Sequence, residues 1–192
     1  ERTVFGNNVI TDYIGGIKFE ISADSFFQVN PVMTQSLYKT AIEYAAIDGD
    51  TSIMDIYCGI GTISLCAAKK AKRVIGIEAV GQAVEDARKN ALANGICNAE
   101  FYAGRAEDIV PELIKSGEKP DVVICTGVLA MIPICLISKF MGKKLIYIES
   151  FAKVTSPTET GKLLYKFADQ FYVQWKPMLK FYPKAIYLGG IY

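Results

Sequence analysis

The chain has 192 residues, 51% hydrophobic and 21% charged, which supplies apolar material for one sizeable core and fits the size of one domain. Its 21 Lys and Arg against 20 Asp and Glu leave a formal net charge of +1, so the strongly basic footprint of a dedicated nucleic-acid binder is absent. No histidine occurs anywhere, which removes Ser-His-Asp and Cys-His catalysis, histidine-liganded zinc and histidine as a general base.

Polar and apolar positions alternate over residues 4–14 and 17–21 with Gly15-Gly16 between them, which predicts an antiparallel hairpin. Asn30 followed by Pro31 supplies an N-cap and first position for a helix over 31–46, with Met33, Leu37, Ala41, Ile42 and Ala45 on one face. An apolar strand then runs into the turn Asp55-Ile-Tyr-Cys-Gly-Ile-Gly-Thr62, a short helix over 62–70 follows, and a second apolar strand over 73–78 closes on Glu78. A longer helix over 79–94, stopped by Gly95, is expected to bury Val80, Val84, Ala87, Ala91 and Leu92. Strands at 99–103, 121–126 and 144–149 continue, separated by helices over 106–115 and from 127 to about 141. A helix over 158–168, a strand at 171–174, a helical turn around 177–181 and a strand at 185–188 complete the pattern. The alternation predicts an α/β fold, a Rossmann-like doubly wound, mainly parallel sheet in three layers with the hairpin at its start. Counting strands from the one before the turn, the expected order is 3-2-1-4-5-6-7 or 3-2-1-4-5-7-6. No repeat, low-complexity run or linker interrupts it, so residues 1–192 read as one domain.

The strand, Gly-rich turn, helix, strand and terminal acid form half of a nucleotide-type βαβ unit. Asp-x-x-x-Gly-x-Gly differs from the Gly-x-Gly-x-x-Gly of dinucleotide binders, and no Gly-Lys-Ser/Thr follows to hold a phosphate. The site therefore suits an adenosine ligand without a pyrophosphate, with S-adenosyl-L-methionine the leading candidate. Gly59 and Gly61 would let the backbone turn sharply near a ligand, and Glu78 could accept hydrogen bonds from both ribose hydroxyls. The cysteines at 58, 66, 97, 125 and 135 form no Cys-x-x-Cys pair and sit mostly in apolar runs, as reduced core thiols do, which points to a cytoplasmic setting. No signal peptide opens the sequence, and Pro133 and Lys139 interrupt the apolar stretch 122–140, which reads as a buried strand and helix rather than a membrane segment. Cys125 has no evident basic neighbour to lower its pKa and reads as a core thiol. Glu149 and Ser150 fall at the carboxyl edge where open α/β sheets bind ligands, and are expected in a solvated loop.

Asp24-Ser-Phe-Phe-Gln-Val-Asn30, Asp55-Ile-Tyr-Cys-Gly-Ile-Gly-Thr62, Gly76-Ile-Glu78 and Asn90-Ala-Leu-Ala-Asn-Gly95 together carry a specific likeness. Through them, residues 1 to about 121 resemble the catalytic domain of bacterial RNA (uracil-5-)-methyltransferases of the ribosomal RNA type. The resemblance implies S-adenosyl-L-methionine as cofactor and RNA as partner. It implies a cofactor set of Gln28 at the methionine portion, Asp55, Tyr57, Gly59 and Gly61 at the turn beneath it, Glu78 with Ala79 at the ribose, and Ala106 in the segment beside the adenine. In that segment Arg105 stands where the family often has an acid or amide. In this family the position of Cys58 is often Cys or Ser without catalytic duty.

The likeness changes at the fourth strand. There the family reads Asp-Pro-Pro-Arg or similar, with a Ser-Cys-Asn-Pro nucleophile loop after strand five and a glutamate base near the end. This chain has Cys125-Thr-Gly-Val-Leu and Ile148-Glu-Ser-Phe-Ala, so no catalytic residue is assigned. Instead Gly142-Lys-Lys-Leu-Ile-Tyr-Ile-Glu-Ser-Phe-Ala-Lys-Val154, Thr160-Gly-Lys-Leu-Leu-Tyr165, Val173-Gln-Trp175 and Tyr182-Pro-Lys-Ala185 carry a second resemblance over residues 120–192. It is to the membrane-recruiting subunit of the UDP-N-acetylglucosamine transferase and exopolysaccharide glycosyltransferase family, and it implies a glycosyltransferase catalytic subunit as partner. Trp175 and the tyrosines at 165, 172, 182, 187 and 192 would face that partner or the core. The chain reads as a chimera with its seam inside or just before the fourth strand.

Overall fold

Short apolar runs become parallel strands here because helices cover both sheet faces, so successive side chains along a strand are buried on opposite sides. A computed structural model describes residues 9–23, 25–127 and 129–190; expected strand positions 4–8, the motif residue Asp24 and Tyr192 lie outside these. In chain order the elements are β1 (Val9–Ile14), β2 (Ile17–Ser22), α1 (Pro31–Tyr44), β3 (Ser52–Ile56), α2 (Thr62–Ala68), β4 (Arg73–Glu78), α3 (Gly81–Ala93), β5 (Ala99–Ala103) and α4 (Ala106–Lys115). They continue as β6 (Val122–Thr126), α5 (Ile132–Phe140), β7 (Lys144–Ile148), α6 (Glu159–Leu164), β8 (Gln170–Val173) and β9 (Ile186–Tyr187). Single 3-10 turns occupy Leu129–Met131 and Lys176–Lys180.

Seven strands form one sheet in the order β5-β4-β3-β6-β7-β8-β9, and every pairing in it is parallel. That is the first of the two expected orders, with the last strand at the edge. β6, the strand at the seam, pairs with β3 on one side and β7 on the other, bringing Val122 opposite both Ile53 and Lys144. Alternation sorts the core into two layers. Ile53, Val74, Val122, Ile124, Ile146, Ile148 and Tyr172 pack with α1, α2 and α3. Met54, Ile56, Ile75, Ile77, Val123, Cys125, Leu145 and Tyr147 pack with α4, α5 and α6.

The hairpin of β1 and β2 turns through Gly15 and Gly16, whose φ values of 59° and 73° are those of a primed two-residue turn. Its free edge does not meet the main sheet. Two asparagines one helical turn apart, Asn90 on α3 and Asn94 at its C-terminal cap, take the place of a neighbouring strand. Asn90 Oδ1 accepts from Glu20 N at 2.8 Å and its Nδ2 donates to Glu20 O; Asn94 Oδ1 accepts from Lys18 N at 2.9 Å and its Nδ2 donates to Lys18 O. This duty corrects the expected buried stripe of α3. Val80 and Leu92 are exposed, and Ala83, Val84, Ala87, Asn90 and Ala91 face inward. The helix starts only at Gly81, which leaves Val80 outside it, and turning the asparagines onto the hairpin turns Leu92 to solvent.

At the start of α1, Asn30 caps as its sequence context predicts, its side chain accepting from Met33 N at 3.2 Å. Among the described residues no helix is long and apolar enough to cross a membrane, and no cluster of His, Cys, Asp and Glu could hold a metal ion.

Candidate functional site

All seven parallel strands end at one sheet edge, and the loops leaving that edge enclose a cavity of about 470 Å³. The first half of the chain contributes Phe26, Phe27 and Gln28 before α1, the turn residues Tyr57, Cys58, Gly59 and Ile60, and Tyr38 with Thr62. The second half contributes Thr126 and Gly127 at the end of β6, residues 148–152 at the end of β7, and Gln174 after β8. The wall is therefore built from both sides of the seam.

The turn after β3 is held from below. Tyr57 N and Cys58 N both donate to Ile77 O, at 2.8 and 3.1 Å, and Gly59 N donates to Glu78 Oε2 at 3.1 Å. Glu78 Oε1 accepts from Val80 N, so the acid at the tip of β4 ties the turn to the start of the next helix. Tyr57 adopts a left-handed φ of 63°, a strained choice for a bulky residue that the surrounding bonds enforce. The two glycines serve different ends. A Cβ on Gly59 would meet nothing within 4 Å, so its φ of 57° is the reason for glycine there. A Cβ on Gly61 would lie 2.9 Å from the Phe101 ring, and one on Gly76 would lie 2.5 Å from it. Gly61 and Gly76 make room for Phe101 beneath the turn.

Of the residues singled out in the sequence, Gln28, Asp55, Tyr57 and Gly59 line the cavity. Gly61, Glu78, Ala79 and Ala106 are not among its lining: Glu78 supports the turn, Ala79 is exposed, and Ala106 is buried at the start of α4. Arg105 pairs with Glu107 on the exposed surface.

Asp55 is 1% exposed, and its carboxylate accepts from Ser64 Oγ. Burial pushes its pKa up to about 7, the Ser64 hydrogen bond opposes the rise, and the charge of Glu78 adds to it. Cys58 also lines the cavity, but burial and the nearby acids raise its thiol well above the ordinary range, leaving it a poor nucleophile. Cys125 is fully buried in the core and not part of the lining.

On the other wall Glu149 is 1% exposed rather than in a solvated loop. Its carboxylate accepts from Ser150 N at 2.9 Å, Thr158 Oγ1 at 2.9 Å and Tyr182 OH at 2.9 Å, with Tyr147 OH at 3.3 Å. Burial and the Glu149 charge both raise the hydroxyls of Tyr147 and Tyr182, so they stay protonated as donors. Gly161 is glycine because a Cβ there would run into Glu149 Oε2 and lie 2.5 Å from Tyr182 OH. Gln174 Nε2 donates to Glu149 O at 3.0 Å, and Trp175 Nε1 donates to Phe151 O at 2.7 Å while its ring packs on Phe151. Of the aromatics left open between core and partner, Tyr172 and Tyr182 are buried, Tyr165 and Trp175 half-buried, and Tyr187 exposed.

Sequence reasoning left Glu149 on the surface and passed over Gln174. The signal was present: each is the polar residue that ends an apolar strand, and adjacent parallel strands bring such ends together.

The described lining thus carries two carboxylates, Asp55 and Glu149, and two amides, Gln28 and Gln174, with no lysine or arginine. Gln28 Oε1 and Gln174 Oε1 are both buried without a hydrogen-bond partner among the described residues. Chemically, such a pocket rejects phosphate and accepts a ligand that brings hydrogen-bond donors and positive charge.

Comparison with known proteins gives two overlapping matches. Residues 10–118 match the tRNA (uracil-5-)-methyltransferase family, and residues 91–191 match the family described as oligosaccharide biosynthesis protein Alg14 like. The second match begins well before the seam read from the sequence, so both families share residues 91–118. An uncharacterized RNA methyltransferase of Caldanaerobacter subterraneus subsp. tengcongensis is 54% identical over 121 residues, 63% of this chain and 27% of that protein. Another, from Listeria innocua, is 50% identical over 123 residues, 64% of this chain and 27% of that protein. The chain spans about a quarter of the length of these relatives. Among solved structures, a Pyrococcus abyssi tRNA (uracil-54, C5)-methyltransferase in complex with S-adenosyl-L-homocysteine aligns with a TM-score of 0.69. At 22% identity over 88% of this chain and 41% of that one, it shares the fold.

Proposed function

From a chain that belongs to the tRNA (uracil-5-)-methyltransferase family over residues 10–118 and to the Alg14-like family over residues 91–191, we propose an S-adenosyl-L-methionine-binding scaffold that does not carry out methyl transfer. Residues 1–192 act as one chimeric folding unit in this reading, in a reducing, cytoplasmic setting; the absence of a disulfide among the five cysteines is consistent with the latter.

The observation that carries the proposal is the lining of the cavity. Its volume is within the range of small-molecule sites, and its acids and orphaned amide oxygens without any cation suit a sulfonium and an ammonium rather than a diphosphate. Gln28, Tyr57 and Gly59 would hold the ligand from the first half, with Glu78 keeping Gly59 in place from beneath. The cofactor, when bound, supplies an activated methyl group. In this reading the chain's own residues bind and orient, and among the described residues lining the cavity none is assigned to attack a base. The one thiol in the described lining is Cys58, which burial raises well above the ordinary range, and the chain at the ends of β6 and β7 reads Cys125-Thr-Gly-Val-Leu and Ile148-Glu-Ser-Phe-Ala in place of the family's motifs.

Isothermal titration of the folded protein with S-adenosyl-L-homocysteine tests the binding reading: saturable heat is expected, and none at millimolar ligand would overturn it. RNA is the substrate class suggested by the family, and tritium from labelled cofactor is expected to stay off uridine-containing RNA. Incorporation above an enzyme-free blank would refute the inactive reading.

A second reading rests on the Alg14-like half. Ile137, Phe140 and Met141 at the end of α5 are all more than half exposed, an apolar patch suited to a protein partner such as a glycosyltransferase catalytic subunit. Co-purification with such a subunit that survives Phe140→Asp would remove it.

A further inference from the structure

Gln174 lies at the carboxyl end of β8, 6% exposed, on the cavity wall supplied by the second half of the chain. Its amide orientation is not arbitrary. Nε2 donates to the carbonyl of Glu149 at 3.0 Å, so that atom must be the nitrogen and the other must be the oxygen. Oε1 is buried and finds no donor among the described residues. A buried acceptor left unpaired forfeits its hydration without compensation, so the structure holds a demand for a donor at this point of the wall. Gln28 Oε1, on the wall from the first half, is in the same state.

A neutral N–H would satisfy either oxygen, but the surroundings favour a charged one. Asp55 and Glu149 share the lining with the two amides, and no lysine or arginine does. Glu149 itself is saturated by hydroxyl and backbone donors and offers its charge rather than an open lone pair. Because Glu149 and Gln174 line the same cavity and Gln174 bonds the Glu149 backbone, an acceptor on this wall is a better seat for a cation than for a neutral group.

We infer that Gln174 is a ligand-binding residue whose Oε1 accepts a hydrogen bond from the α-ammonium of a bound S-adenosyl amino acid, so that the second half of the chain takes part in holding the amino-acid end of the ligand. This rests on the cofactor reading above and deepens it. The inference gives the exchanged wall a positive role in binding.

The test compares S-adenosyl-L-homocysteine with its desamino analogue, which keeps the carboxylate and the nucleoside, by titration calorimetry on the full chain. The unaltered protein is expected to bind the desamino analogue at least about tenfold more weakly, as the loss of one charge-assisted hydrogen bond requires. Gln174→Met should narrow that gap by about tenfold through weaker binding of the amino ligand alone, with affinity for the analogue kept. Gln174→Glu, which retains an acceptor, should preserve the gap, and it guards against a Met variant that fails to fold. Equal binding of the two ligands by the unaltered protein, or a gap unchanged in Gln174→Met, overturns the assignment while leaving the cofactor reading standing. Equal weakening of both ligands in Gln174→Met overturns it too, because it points to the adenine amino group instead. Failure of either ligand to bind the unaltered protein sinks the cofactor reading itself and this inference with it.

Discussion

Replacing Asp55 by Asn changes the charge at the root of the turn while keeping an acceptor for Ser64. In the folded chain the Asp55 carboxyl is pushed up to about 7 from the ordinary 3.8, by burial first and by Glu78 in addition, against the Ser64 hydrogen bond. Because the folded value lies above the unfolded one, the folded state holds the proton more tightly. The favourable contribution is complete below about pH 4 and is lost as pH rises through about 7. At about 1.4 kcal/mol per tenfold change in proton affinity, the full effect is about 4 kcal/mol, of which about 2–3 kcal/mol falls between pH 5 and pH 8. The carboxyls of Asp48, Asp86, Glu100 and Glu107 are held below their ordinary values and act in the opposite direction, but they are common to both proteins and cancel in the difference. Urea unfolding of the wild type and Asp55→Asn at pH 5, 6, 7 and 8 should therefore show the variant gaining on the wild type by about 2–3 kcal/mol across the series. Stability curves that run parallel, or a variant that gains as the pH falls, would refute a raised carboxyl pKa beneath the turn.

Three further outcomes follow from the packing. Asn90→Ala removes two hydrogen bonds to β2 and should cost about 2 kcal/mol, with faster hydrogen exchange at the Glu20 amide; unchanged protection there would show that the asparagine does not stand in for a strand. Gly161→Ala would stabilise an unconstrained helix by about 1 kcal/mol, but here it should destabilise by about 2–3 kcal/mol because the added Cβ meets Glu149 and Tyr182, and a raised melting temperature would deny that the Glu149 cluster is close-packed. With strands from both halves interleaved in one sheet, tryptophan fluorescence at Trp175 and far-ultraviolet dichroism should report one coincident urea transition, and two separated transitions would argue for independent halves.

Much of the fold is legible because both faces of the central strands are buried. Runs such as Ile53-Met-Asp-Ile56 and Leu145-Ile-Tyr-Ile148 have no polar face to blur their identity, and Gly or Pro marks many of the element ends. What failed was the orientation of α3. Its Val80 and Leu92 look like core residues in a periodic stripe, yet the decisive side chains are Asn90 and Asn94, whose amides complete a strand edge distant in sequence. Periodicity counts apolar residues and cannot register a polar side chain buried to serve a backbone. The same blindness hid Glu149, since a glutamate followed by serine at a strand tip has the composition of a loop. Only the return of Thr158, Tyr182 and Gln174 to that point makes it a buried centre.

The site divides along similar lines. Gly59 could be found in the sequence because local turn geometry places it, and Gln28 and Tyr57 through the family resemblance, whereas the opposite wall depends on which strands become neighbours. Parallel pairing explains why a seam at β6 leaves a cavity at all. Every strand of a parallel sheet delivers its following loop to the same edge, so two lineages that agree on strand register will face their loops towards each other whatever those loops contain. The volume of the pocket is then a property of the sheet, and its chemistry a property of each half. Thr126, Glu149 and Gln174 come from β6 and the chain beyond it and the turn after β3 from the chain before it, so the two walls of the pocket take their chemistry from different parts of the sequence.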